Sequence, residues 1–178
     1  GKSAAVVYPD ADIDNLVGNV RWGILFNAGQ VCSAMSRLVV HESIHDAVVD
    51  SIVGLADRLS VGPGLERPEF GENMGPMISA RQRDRATAMC AAAADNGARA
   101  AAGGGAMEGP GYFMQPTVLT NVSPYMSIAR DEIFGPVITV IPFSEDNDAI
   151  TIANSTDYGL VGGVFTRDLD RATQVARK

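Results

Sequence analysis

The chain has 178 residues, 46% of them apolar, enough for one domain with its own core. Fourteen Lys and Arg set against 21 Asp and Glu give a net charge of −7, and the basic residues are scattered, which excludes a nucleic-acid surface or attachment to an anionic membrane. Two cysteines, Cys32 and Cys90, form neither a disulfide framework nor a metal-ligand spacing, and no signal peptide or long apolar run is visible, a pattern that fits a reducing cytoplasm and a small-molecule partner.

In chain order, the spacing predicts a short buried strand over 4–7. After Pro9 comes a helix capped by Asp10 or Asp12, with Ile13, Leu16, Val20, Ile24 and Leu25 on one face. Residues 38–41 read as a second strand, and Ile44, Val48, Ile52 and Leu55 mark a second helix. Gly62-Pro63-Gly64 breaks the alternation. Ser79 then caps a helix over 80–96 that Gly97 stops. Strands follow at 98–102, 137–141 and 161–166, with Val118-Leu119 as an extended edge, a helix over 146–154 and a last helix from 169 to the end of the chain. Such alternation predicts an α/β fold with a mostly parallel sheet flanked by helices. Gly103-Gly104-Gly105 is a loop rather than a phosphate cradle, because the stretch after it holds prolines and no helix start.

Cys32 is the residue with chemistry in it. It lies in Phe26-Asn27-Ala28-Gly29-Gln30-Val31-Cys32-Ser33-Ala34, a Gly/Gln/Ser turn between a helical segment and a strand. A thiolate is the strongest side-chain nucleophile, and the backbone amides of a turn can hold an oxyanion on the carbon it attacks. Taken alone, the setting fits either a nucleophile or a semi-buried loop thiol. Cys90, inside a run of small apolar residues at helical spacing, reads as packing. The histidines at 41 and 45 read as exposed residues at the ends of elements.

Five stretches in order resemble the NAD(P)-dependent aldehyde dehydrogenase superfamily. They are the segment Phe26 to Cys32, Gly75-Pro76-Met77-Ile78, Gly111-Tyr112-Phe113-Met114-Gln115-Pro116-Thr117-Val118, Glu132-Ile133-Phe134-Gly135-Pro136-Val137, and Ala153-Asn154-Ser155-Thr156-Asp157-Tyr158-Gly159-Leu160 leading into Val164-Phe165-Thr166. The resemblance implies Cys32 as the nucleophile that carries the aldehyde through a thiohemiacetal to a thioester. It implies Glu132 as acceptor for the ribose hydroxyls of NAD or NADP, Phe134 as the ring beside the nicotinamide, and Gln82 as a further cofactor contact. Val31 and Ser33 would line the substrate tunnel, and Asn154 would stabilise a helix end.

By the same resemblance, Gly1-Lys2 closes a Glu-Leu-Gly-Gly-Lys stretch whose glutamate is the general base. Residues 1–178 are therefore expected to be a fragment, part of the nucleophile-bearing catalytic domain. The cofactor domain, the oxyanion-hole asparagine and a C-terminal hairpin would lie outside it, and the fragment alone should be inactive. The whole protein is expected to be a cytoplasmic homo-oligomer, a dimer or tetramer, acting on a small aldehyde, with no metal, nucleic acid or membrane involved. Three other readings compete. A cysteine hydrolase or acyltransferase requires a histidine near Cys32, a non-enzymatic α/β module requires Cys32 to be buried, and an acylating relative would pass the acyl group to coenzyme A.

Overall fold

Strands buried on both faces carry continuous apolar runs rather than alternating ones, and the centre of this sheet does so in β1 (Ala4–Val7), β2 (Arg37–His41) and β7 (Val137–Phe143). In the computed structural model, which describes residues 1–65 and 73–178, these join β5 (Arg99–Ala102), β6 (Thr117–Thr120) and β8 (Gly162–Phe165) in one sheet of order β5-β6-β7-β2-β1-β8. Every pairing is parallel except β5 with β6, which is antiparallel and irregular between Ala100 and Ala102. The α/β fold with a mostly parallel sheet is thus the one the sequence predicts. Val118-Leu119 is corrected: it belongs to β6, inside the sheet between β5 and β7, and the edge is β5. The Ala-rich sequence of β5 carries no alternation by which its place could be read.

Helices cover both faces. On one side α1 (Ile13–Gly23) and α2 (His45–Arg58) bury Leu16, Val20, Val48, Ile52 and Leu55 against Ala5, Val7, Leu38, Val40, Ile138 and Val140. On the other, α3 (Ala80–Asp95), α4 (Ser127–Arg130) and α5 (Asp146–Ala153) bury Ala86, Cys90, Ala93, Ile128, Ala129, Ala149 and Ile152 against Ala4, Val6, Val39, Val137 and Ile141. Successive residues of β1 and β2 thus feed opposite cores, as the two-residue strand period requires. Asp12 caps α1 by accepting from the Asn15 amide, and Ser79 caps α3 by accepting from the Gln82 amide. A short parallel pair, β3 (Ser60–Val61) with β4 (Asn73–Met74), lies beside the main sheet, and α6 (Leu169–Ala176) follows β8.

Arg37 ties the centre together. It is buried, and its guanidinium donates to the carbonyls of Lys2 (2.9 Å), Ile152 (2.8 Å) and Ala153 (2.7 Å), joining β1, β2 and the C-terminal end of α5. A cation suits those last carbonyls because the helix leaves them unpaired and partly negative. Burial lowers the Arg37 pKa to about 10, so the group stays charged at neutral pH.

Candidate active site

The order β7-β2-β1 and its parallel sense bring the loops before these three strands to one edge of the sheet. Those loops carry Glu132, Cys32 and Gly1. The site therefore lies at the amino ends of the strands, whereas open parallel sheets more often bind ligands at the carboxyl ends.

The Cys32 loop is held in a strained conformation. Residues Phe26–Gly29 form a 3-10 turn in which Asn27 (φ 52°), Ala28 (φ 53°) and Gly29 (φ 70°) are all left-handed. For non-glycine residues such backbone costs on the order of 1–3 kcal/mol each and persists only where the surroundings fix it. Here Asn27 Nδ2 donates to the Gln30 carbonyl (3.1 Å) and Gln30 Nε2 donates back to the Asn27 carbonyl (3.0 Å). Gln30 Oε1 also accepts from the Ile78 amide at 2.8 Å, fastening the loop to the Gly75–Ile78 stretch ahead of α3. Gly29 packs on the next loop so closely that a Cβ there would stand 2.1 Å from the Gly135 carbonyl oxygen.

Out of this base rises a tight turn closed by the Ala34 amide donating to the Val31 carbonyl at 3.1 Å, with Cys32 and Ser33 at its centre. Both are exposed, and Val31 is half-buried. The turn points the thiol outward while its backbone is pinned. Cys90 is the opposite case: it is buried on α3, and burial pushes its thiol up to about 11.

The second loop runs from Asp131 to Pro136 between α4 and β7. Phe134 is left-handed (φ 58°) and its ring is exposed. The backbone that presents it is held from α3: Arg85 donates to the carbonyls of Glu132 (2.8 Å) and Ile133 (2.9 Å), and Gln82 Nε2 donates to those of Ile133 (2.8 Å) and Phe134 (2.9 Å). Gln82 thus has its amide nitrogen engaged by protein carbonyls, leaving Oε1 as the atom with which it could meet a ligand. The Glu132 side chain is 33% exposed.

Gly1 joins the two loops. Its amino group donates to the Glu132 carboxylate, and its α-carbon lies so near the Cys32 carbonyl that a Cβ would come within 2.7 Å of that oxygen. Cys32, Gly1 and Glu132 therefore line one edge, with Leu160 also against Gly1.

The remaining candidates fall elsewhere. His41 ends β2, the strand that leads away from Cys32, and its Nδ1 pairs with Ser43 while its ring meets Phe143 edge-on at 5.3 Å. His45 begins α2 and pairs with Asp46. Both are half-buried rather than exposed, His41 because its ring packs on Phe143 of β7. Asn154 follows α5 and donates to the Lys178 carbonyl at 3.0 Å. Gly103 is left-handed with its backbone against the Pro116 carbonyl, and a loop follows it, not a helix.

Four residues escaped the sequence reading as participants in the site. Gln30 and Arg85 act through hydrogen bonds to main chain 48 and 47–48 positions away, which spacing alone cannot disclose. Trp22 and Phe26 are large and exposed, and their rings tilt on each other at 6.4 Å where α1 runs into the turn ahead of Cys32. The signal for these two was available: they fall off the apolar face marked by Leu16, Val20 and Ile24.

The fold and this edge define a protein class, which comparison with known sequences and structures makes definite. The family model for the aldehyde dehydrogenase family matches residues 1–178. The chain is 43% identical over 187 residues to aldehyde dehydrogenase tropH of Talaromyces stipitatus, covering all of this chain and 36% of that protein. It is 42% identical to the cytosolic aldehyde dehydrogenase 1 of Mus musculus, covering 99% of this chain and 34% of that one. An NAD+ complex of aldehyde dehydrogenase from Bacillus cereus superposes with a TM-score of 0.93 at 39% identity, covering 99% of this chain and 35% of the other. The chain belongs to the aldehyde dehydrogenase family, and it spans about a third of the length of these relatives. Members of this family use a nicotinamide dinucleotide, and the Bacillus protein is seen with NAD+ bound.

Proposed function

We propose that this chain is the nucleophile-bearing part of an enzyme that oxidises an aldehyde to a carboxylic acid with NAD or NADP, and that Cys32 is the nucleophile. The observation that carries this reading is the outward-facing Cys32 turn, set on the same edge of the sheet as the loop that bears the partly exposed Glu132 carboxylate. The thiolate adds to the aldehyde carbonyl, a carbon–sulfur bond forms, and the carbonyl oxygen becomes an alkoxide. The Cys32 amide, which makes no hydrogen bond among the described residues, is free to donate to that oxygen. One such donor is worth roughly 3 kcal/mol in comparable sites. When bound, the dinucleotide takes up the hydride that leaves the carbon. Cys32 is then left acylated, and water cleaves the thioester to release the acid and restore the thiol. By family resemblance the base for that last step is a glutamate of the longer protein, so the 178-residue chain alone should capture aldehydes without turning them over.

Glu132 and Phe134 suit the dinucleotide. A half-exposed carboxylate offers two acceptor oxygens to a vicinal diol, and an exposed ring held by a pinned turn offers an apolar face to a flat heterocycle. Gln82 acts mainly by setting that turn, with Oε1 left to reach a ribose. Val31 and Ser33 flank the thiol and line the entry for the aldehyde. The longer protein is proposed to be a cytosolic homo-oligomer. Among the described residues no helix is long and apolar enough to cross a membrane.

The hydrolase reading is disfavoured because His41 and His45, the chain's two histidines, sit beyond the far end of β2. The inert-module reading is disfavoured by the exposure of Cys32. The test is to mix the chain with an aldehyde labelled with 13C at the carbonyl. A thiohemiacetal carbon mapped to Cys32 and lost in Cys32→Ala supports the assignment, and an adduct unaffected by that substitution overturns it.

A further inference from the structure

The thiol of the proposed chemistry is placed by its neighbours. Cys32 and Ser33 stand exposed at the tip of a turn that the Ala34 amide closes on the Val31 carbonyl. Just upstream, Gln30 uses both ends of its side-chain amide: Oε1 accepts from the Ile78 amide at 2.8 Å, and Nε2 donates to the Asn27 carbonyl at 3.0 Å. A backbone N–H can meet only the oxygen and a backbone carbonyl only the nitrogen, so the two partners fix which way the amide faces. Asn27 Nδ2 returns a bond to the Gln30 carbonyl at 3.1 Å, and that carbonyl belongs to the peptide leading into Val31.

Both partners are themselves anchored. Ile78 follows Met77, which is buried and donates its amide to the Tyr112 carbonyl at 2.9 Å, and it precedes Ser79, the cap of α3. Asn27 holds a left-handed backbone (φ 52°) that persists only where the surroundings fix it. On the other side of the site, Gln82 and Arg85 in the first turns of α3 grip the main chain of the Glu132–Phe134 turn. The loop that bears the thiol and the turn proposed to meet the dinucleotide are therefore braced on the start of one helix. Gln30 is the side chain that ties the thiol's loop to that brace.

We propose that Gln30 is a positioning residue for Cys32: by spanning Ile78 and Asn27 it sets where the sulfur stands relative to the dinucleotide. No proton or electron pair passes through it, since both ends of its amide are engaged by the protein. In the proposed reaction, sulfur and hydride acceptor meet at one carbon, and a displacement of about 1 Å at such a site costs on the order of 100-fold in rate. This role rests on the reading of Cys32 as the nucleophile.

The test is single-turnover formation of NAD(P)H by the intact enzyme, comparing the native protein with Gln30→Met, which keeps the length of the side chain and loses both hydrogen bonds. A shifted thiol lowers the rate constant of the burst, whereas a fold that is merely destabilised lowers its amplitude. The expected result is a rate constant about 10- to 100-fold below native, with KM for the dinucleotide and the pH midpoint of Cys32 alkylation unchanged. Gln30→Glu can still accept from Ile78 but cannot donate to Asn27. Its rate constant, read above the alkylation midpoint so that its charge leaves the thiolate fraction full, should fall between the other two. A native rate constant in Gln30→Met, or a fall explained by a moved alkylation midpoint, overturns the proposal. Hydrogen exchange in the native protein decides even where a variant fails to fold. The Ile78 amide should exchange slowly although its side chain is exposed, and exchange as fast as in an unstructured peptide overturns the proposal as well. Failure of the underlying reading looks different: a native burst from Cys32→Ser removes the nucleophile, and the proposal with it, while leaving the Ile78 amide protected.

Discussion

Exposure separates the two cysteines, and that difference is testable at the level of single atoms. Cys32 sits on a solvent-facing turn and Cys90 inside the core, so iodoacetamide should modify Cys32 in the folded chain and leave Cys90 untouched until denaturant is added. Peptide mapping by mass spectrometry reads the outcome, and early modification of Cys90 would contradict the structure. Glu132→Gln keeps the shape and removes the charge. In the intact enzyme it should raise KM for the dinucleotide by about 10- to 100-fold, the worth of one or two charge-assisted hydrogen bonds, with little change in Cys32 alkylation. Both residues could be proposed from the sequence, because Cys32 stands in a polar turn and Glu132 in a dense motif. The part played by Gln82 was not: its partners are carbonyls 51 and 52 positions away.

At the scale of elements, the two site loops stand on each other. Gly29 has no room for a side chain, and a Cβ would overlap the Gly135 carbonyl. Gly29→Ala should therefore cost at least about 3 kcal/mol, from overpacking together with the loss of left-handed freedom, and should displace the turn that bears Phe134. Chemical denaturation measures the first effect, and a raised KM for the dinucleotide in the intact enzyme measures the second. A variant with native stability would show that the loops are not in contact. Sequence periodicity found β1, β2, β7 and the long helices because their apolar spacing extends over several residues. It missed α4, which has four residues, and misjudged β6, whose neighbours are decided by topology rather than by its own composition.

For the whole molecule, two buried cations near the sheet centre set opposite expectations. Arg37→Met leaves the carbonyls of Lys2 and Ala153 without their donor, and that of Ile152 with Ser155 in place of the guanidinium, and should lower the unfolding free energy by about 3 kcal/mol or more. Lys2 works the other way. Its pKa is about 7 in the folded chain and 10.5 when unfolded, so between these values the unfolded state binds more protons and stability rises with pH. The gain should approach 1.4 kcal/mol per pH unit at most. It is cleanest between about pH 7 and about pH 8, before unfolded cysteine begins to ionise. Below the folded value the penalty is fully present, so Lys2→Met should stabilise the chain at neutral pH and flatten the profile. Denaturant midpoints across that window read both effects. Neither cation could be placed from the sequence, since Lys and Arg ordinarily lie on the surface and only the packing of β1, β2 and α5 puts these two inside.

In the proposed chemistry the Cys32 sulfur holds the aldehyde while hydride departs. It is tested most directly by single-turnover formation of NAD(P)H in the intact enzyme, comparing the native protein with Cys32→Ser. A burst is expected in the native enzyme and no detectable burst in the variant, with dinucleotide binding retained. A burst of native amplitude from Cys32→Ser would contradict it.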